Sequence, residues 1–138
     1  VSTVSLNTFS AIMTFAIDLE DSLGRFYASA APLAGAHAEH FQTYAAKSIK
    51  RKQRLTAIRQ DNVTEMVLEP ISGLDVDNYK ITASTPADAA EALSTARTLE
   101  QRASRFYTDA EAKLNVTEPR RAFQKMAQEN EDRLAVLS

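Results

Sequence analysis

The sequence predicts an all-α protein, a four-helix bundle built as two helical hairpins joined by a long crossover. Three observations carry this. Glycine occurs only three times and proline four times in 138 residues, while Ala and the long helix-forming residues dominate. Four segments place apolar residues at alternating spacings of three and four, the pattern of a helix with one buried face. Motifs of the first half of the chain also recur in the second, as an internal two-fold pseudo-repeat.

The first helix is expected over about 6–31, ending at Pro32. The second is expected over about 36–60. The third is expected over about 85–114, with Thr85 as cap, Pro86 in the first turn and Asp88 completing a Thr-x-x-Asp capping box. The fourth, over about 118–137, starts near Thr117-Glu118-Pro119. The links between the first and second segments and between the third and fourth are a few residues long, which suits antiparallel hairpins. Residues 61–84 form the crossover, with Pro70, Gly73 and a β-like patch at Met66-Val67-Leu68. Fully extended, such a stretch spans roughly 80 Å, enough to run the length of a bundle. One domain over 1–138 accounts for the whole chain.

Apolar residues make up 44% and charged residues 25%, with a net charge of −2. Such a balance is ordinary for a globular domain and shows no basic excess that would point to nucleic acid. The chain has no cysteine, which excludes disulfides, thiolate-bound metals and catalytic thiols, and suits a cytoplasmic location. No apolar run approaches a membrane span, and residues 1–13 lack the basic stretch of a signal peptide. Neither a Ser-His-Asp arrangement nor a phosphate-binding glycine loop is present.

The repeat places the chemistry. Ala16-x-x-Leu19-Glu20, Arg25-Phe26-Tyr27 and Ala30 recur as Ala96-x-x-Leu99-Glu100, Arg105-Phe106-Tyr107 and Ala110, all offset by 80. Phe41-Gln42, Ala45, Arg51 and Leu55 recur as Phe123-Gln124, Ala127, Arg133 and Leu137, offset by 82. The first seam reads Phe9, Met13, Ala16, Glu20, Leu23, Tyr27, Ala30. The third reads Leu93, Ala96, Glu100, Ala103, Tyr107, Ala110, Leu114. The second reads Phe41, Tyr44, Ser48, Arg51, Leu55, Ile58, and the fourth Phe123, Met126, Asn130, Arg133, Leu137. Periodicity thus puts two glutamates, two arginines, Ser48 and Asn130 at the middle of the interior. Buried charges there must neutralise one another.

A Glu followed seven residues later by Tyr, on the first and third helices, resembles the ferritin-like superfamily and its rubrerythrins in particular. The lead-ins Phe41-x-x-Tyr44-Ala45 and Phe123-x-x-Met126-Ala127 resemble that family as well. There, each first-type helix gives one Glu and each second-type helix gives Glu-x-x-His to a di-iron site. The resemblance implies that Glu20 and Glu100 match the single Glu ligands. It puts Ser48 and Asn130 where the bridging Glu residues would be, and Arg51 and Arg133 where the His residues would be. Arginine stays charged and has no lone pair for a metal. No metal is therefore expected, and Glu20–Arg51 and Glu100–Arg133 are expected as buried bidentate pairs. Ser48 and Asn130 would hydrogen-bond the groups left over.

The resulting expectation is a metal-free scaffold or interaction protein with no catalytic residues, homodimeric by the family's habit. The alternative is an iron-binding protein or oxidoreductase using Glu20 and Glu100, with Glu129 or Glu131 added if the fourth helix lies in another register. A second alternative is a bundle in which the Arg pair neutralises an anionic small ligand between helices. Arginines that point inward without touching the glutamates would favour it. Tyr27 and Tyr107 read as core residues with bonded hydroxyls rather than redox groups. His37-x-x-His40, beside Glu39, and the basic run from Lys47 to Arg54 read as surface features, not as zinc and nucleic-acid sites.

Overall fold

The computed structural model describes residues 6–66, 71–82 and 84–138, and of residues 63–66 the backbone alone. It is an all-α bundle of four long helices: α1 (Phe9–Ala30), α2 (Ala38–Met66), α3 (Ala89–Glu111) and α4 (Thr117–Leu137). Among the described residues no helix is long and apolar enough to cross a membrane.

Helix α1 starts where the Thr8 hydroxyl accepts from the Ala11 amide at 3.0 Å. Pro32 halts it, and two 3₁₀ turns, Ala31–Leu33 and Gly35–His37, reverse the chain. Gly35 has φ +59°, which only glycine adopts freely, and this lets the second turn follow the first so closely.

Helix α2 runs on to Met66, six residues into the expected crossover. Its last turns are anchored sideways. Arg59 donates to the Ser10 hydroxyl at 3.0 Å, and Asn62 donates both to Ile58 O and to Glu118 Oε1, each at 2.8 Å. Of the β-like patch, Met66 is helical, whereas Val67 and Leu68 lie outside the described residues, as does Pro70.

Helix α3 begins at Ala89, four residues later than expected, because Asp88 is itself the cap. Its carboxylate accepts from the Glu91 amide at 2.8 Å, while Glu91 accepts from the Ala87 amide at 3.3 Å. An Asp-x-x-Glu box outcompetes Thr85, since it satisfies amides from both sides of the turn. Pro119 occupies the first turn of α4, where its missing N–H is not needed.

The closest packing lies within the hairpins α1–α2 and α3–α4. The connection between hairpins runs end to end. At one end Ile71 donates its amide to Asn7 O at 2.8 Å. At the other, Ala89 lies against Gly35. In between, the buried Tyr79 packs on Phe106 and donates to Asp109 at 2.7 Å.

Apart from Leu93, which is half-buried, every residue of the four seams is buried. Two aromatic clusters cap the core: Tyr27 with Phe41 and Tyr44, and Tyr107 with Phe106 and Phe123, at centroid separations of 5.0–5.4 Å. Burying each such ring contributes about 1.5–3 kcal/mol.

Candidate functional site

Four ionisable side chains meet inside this hydrocarbon shell. Glu20 and Glu100 are fully buried, and Arg51 and Arg133 are 6% and 4% exposed. Arg51 Nη1 lies 3.3 Å from Glu20 Oε2, and Arg133 Nη1 lies 3.2 Å from Glu100 Oε2. Each pair joins the two helices of one hairpin.

The tyrosines join the hairpins to each other. Tyr27 of α1 donates its hydroxyl to Glu100 Oε2 of α3 at 2.5 Å. Tyr107 of α3 donates to Glu20 Oε2 of α1. These two bonds require α1 and α3 to be antiparallel, with each tyrosine two turns beyond its own helix's glutamate and level with the other's. The spacing Glu-x₆-Tyr, present twice, is the sequence signal for this exchange.

The ion pairs are not the bidentate forks expected. Each uses one nitrogen and one oxygen, and that oxygen is the Oε2 that also receives a tyrosine hydroxyl, while Oε1 has no partner among the described residues. The second nitrogen of Arg51 is also committed elsewhere, to Met126 O at 3.2 Å and Glu129 Oε1 at 3.0 Å.

The two halves also differ. Asn130 Oδ1 accepts from Arg51 Nη1 at 2.8 Å, so Arg51 has four acceptors. Ser48, its counterpart, hydrogen-bonds no leftover group: its Oγ is buried without a partner among the described residues. Ser48 lies instead against Gly24 of α1. Arg133 correspondingly keeps Nη2 unbonded, with its guanidinium 4.8 Å from the Tyr44 ring centroid.

Burial sets the electrostatics. It pushes the Glu100 carboxyl above its ordinary range, against the opposing pull of Arg133 and the Tyr27 hydrogen bond. Burial, then the adjacent glutamate charge, lifts both Tyr27 and Tyr107 well above a normal phenol, so both stay protonated donors. For Arg51, burial opposes the charge, but Glu20 and further acidic neighbours outweigh it and its pKa rises.

The di-iron centre implied by the resemblance does not fit this donor set. Of the carboxylate oxygens of Glu20 and Glu100, only each Oε1 remains uncommitted among the described residues, with a guanidinium bonded to the other oxygen of each. No imidazole is present, and the positions that would carry bridging carboxylates hold Ser48 and Asn130. Among the described residues no three His, Cys, Asp or Glu side chains gather as a metal site. Glu129 is drawn into the cluster by Arg51, while Glu131 turns away to accept from Ser104 at 2.8 Å.

His37 and His40 lie with Nδ1 atoms 3.4 Å apart near the start of α2, His40 stacking on Tyr44. Among the cations of the basic run, Arg51 alone is buried. Lys52 pairs with Asp21 at 2.9 Å, and this hydrogen bond lowers the Asp21 pKa.

No family model matches the chain, and neither a curated protein nor a solved structure matches it.

Proposed function

We propose that the chain is a non-enzymatic, ferritin-like bundle of the rubrerythrin type, serving as a scaffold or interaction protein. On this reading the position of that family's di-iron centre is occupied by a structural polar core. One observation carries it: the two glutamates at the family's ligand positions each spend Oε2 on an arginine and on a tyrosine from the opposite hairpin. Charge balance by fixed guanidinium groups does the work that metal cations would otherwise do for buried carboxylates. The repetition of these contacts at offsets of 80 and 82 supports descent from a doubled helical hairpin. The homodimeric state and cytoplasmic location belong to the same proposal, the former on the family's habit.

The test is metal content after anaerobic incubation with ferrous iron and desalting. No retained iron, together with a large loss of stability in Arg51→Ala, is the expected result. About two irons per chain, lost in Glu20→Ala, would return the protein to iron chemistry. Sedimentation velocity on the same sample tests the dimer.

A further inference from the structure

Helix α2 carries Lys47, Lys50, Arg51 and Arg54 at spacings of three and four, so all four share one face. Across from them α4 contributes Lys125. Together they line a cleft of about 270 Å³ between the two helices. Arg51 forms its buried wall, already neutralised by Glu20 and Glu129. The other four cations are exposed and make no ion pair among the described residues. Among those residues Glu129 is the only carboxylate lining the cleft, and it is taken by Arg51.

Four unneutralised cations around one concavity repel one another, in a chain whose net charge is −2. Nothing in the fold of α2 demands this. The buried seam needs only Arg51, and the neighbouring Lys52 shows that a local carboxylate partner is easily supplied. A multivalent anion would relieve the repulsion, and lysines approach a tetrahedral oxyanion from any direction as point charges.

We propose that the α2–α4 cleft binds a small phosphate-bearing anion with the charge and size of a diphosphate. The cleft is compact. A longer polyanion laid along the same groove would meet Glu118, which is bonded to Asn62 where α2 ends and α4 begins. The inference rests on the cleft alone and stands or falls separately from the reading of the core.

Isothermal titration calorimetry of the full chain with inorganic pyrophosphate in low-salt buffer tests it. Orthophosphate, a single-stranded oligodeoxynucleotide and phosphatidylglycerol vesicles form the comparison arms. Single-site pyrophosphate binding, weakened roughly tenfold or more in Lys50→Ala/Lys125→Ala and screened by added salt, is expected. Arg54→Ala should weaken it too, whereas Lys113→Ala, whose cation lies beside Gly73 and away from the cleft, should not. The substituted side chains are exposed, so unchanged melting curves will show that the variants fold. Absence of pyrophosphate binding would overturn the proposal, as would equal loss in Lys113→Ala. Tighter binding of the oligonucleotide or the vesicles through the same residues would also overturn it, assigning the cleft to a macromolecular surface.

Discussion

The Tyr27 hydroxyl lies 2.5 Å from Glu100 Oε2, and this bond crosses from one helical hairpin to the other. Tyr107 makes the reciprocal bond to Glu20. Between them these two phenols tie together hairpins whose backbones otherwise approach closely at few points. A hydrogen bond to a buried carboxylate contributes about 1.5–3 kcal/mol, and without the hydroxyl each Oε2 keeps only its arginine. Tyr27→Phe and Tyr107→Phe should each destabilise the fold by that amount in urea unfolding. Because the hydroxyls serve different glutamates, the double variant should lose close to the sum. An effect below about 0.5 kcal/mol for both would mean that the bonds add nothing beyond ring packing.

Arg51 and Arg133 hold equivalent places, yet their surroundings predict unequal costs. Arg51→Leu strands Glu20 and also removes the partner of Asn130 and Glu129, so it should cost about 3–5 kcal/mol. Arg133→Leu should cost less. Arg133 has a single acceptor among the described residues, and Glu100, already inclined to hold a proton, can neutralise itself. Adding Glu20→Gln to Arg51→Leu should recover a large part of the loss, since an uncharged amide no longer needs a cation. A double-mutant cycle gives the coupling directly. Independent, additive effects would show that the pair does not act as a pair.

Periodicity was sufficient to bring Glu20, Glu100, Arg51 and Arg133 inward, because a spacing of three and four admits only one interior face once Phe9, Met13, Phe41 and Phe123 are placed on it. What it could not convey was height along the bundle. That Tyr27 faces Glu100 rather than its own helix's Glu20 depends on α1 and α3 running antiparallel, a property of the crossover and not of either helix. The same holds for Asn130, which serves Arg51 of the other hairpin. Boundaries failed where two signals competed. Thr85 and Asp88 are both competent caps, and Glu91 decides for the second by returning a bond to the Ala87 amide. At the end of α2 the crossover is expected from residue 61, yet Asn62 stays helical, its amide satisfied by Glu118 and Ile58 O.

The raised pKa of Glu100 gives stability a pH dependence of definite sign. Burial favours the protonated carboxyl in the folded state over its ordinary value of 4.5. The folded state therefore binds the proton more tightly than the unfolded chain. The stability linked to that proton is complete below the unfolded pKa and is lost as pH rises through the folded one. Measured against Glu100→Gln, which cannot titrate, the wild-type unfolding free energy should decline from about pH 4.5 upward and then level off. A difference that grows with pH would mean that Arg133 and Tyr27 overcome burial and hold Glu100 ionised.

Gly24 offers a change that should help the fold. It sits buried in the middle of α1, where glycine is unfavourable to a helix by about 0.5–1 kcal/mol relative to alanine. A methyl group there would lie 3.4 Å from Ser48 Cβ and 3.7 Å from Ala45 O, which is ordinary van der Waals contact. Its backbone lies outside the left-handed region, so alanine adopts it without strain. Gly24→Ala should therefore stabilise the protein by about 0.5–1 kcal/mol, read as a rise of a few degrees in melting temperature. Gly24→Leu, which overfills the same space between α1 and α2, should cost about 1–3 kcal/mol. The contrast between the two separates helix propensity from packing. If alanine too destabilises, the close approach of Ser48 is needed as it stands, and the unbonded hydroxyl at that position reflects tight packing of α2 on α1 that no added atom can share.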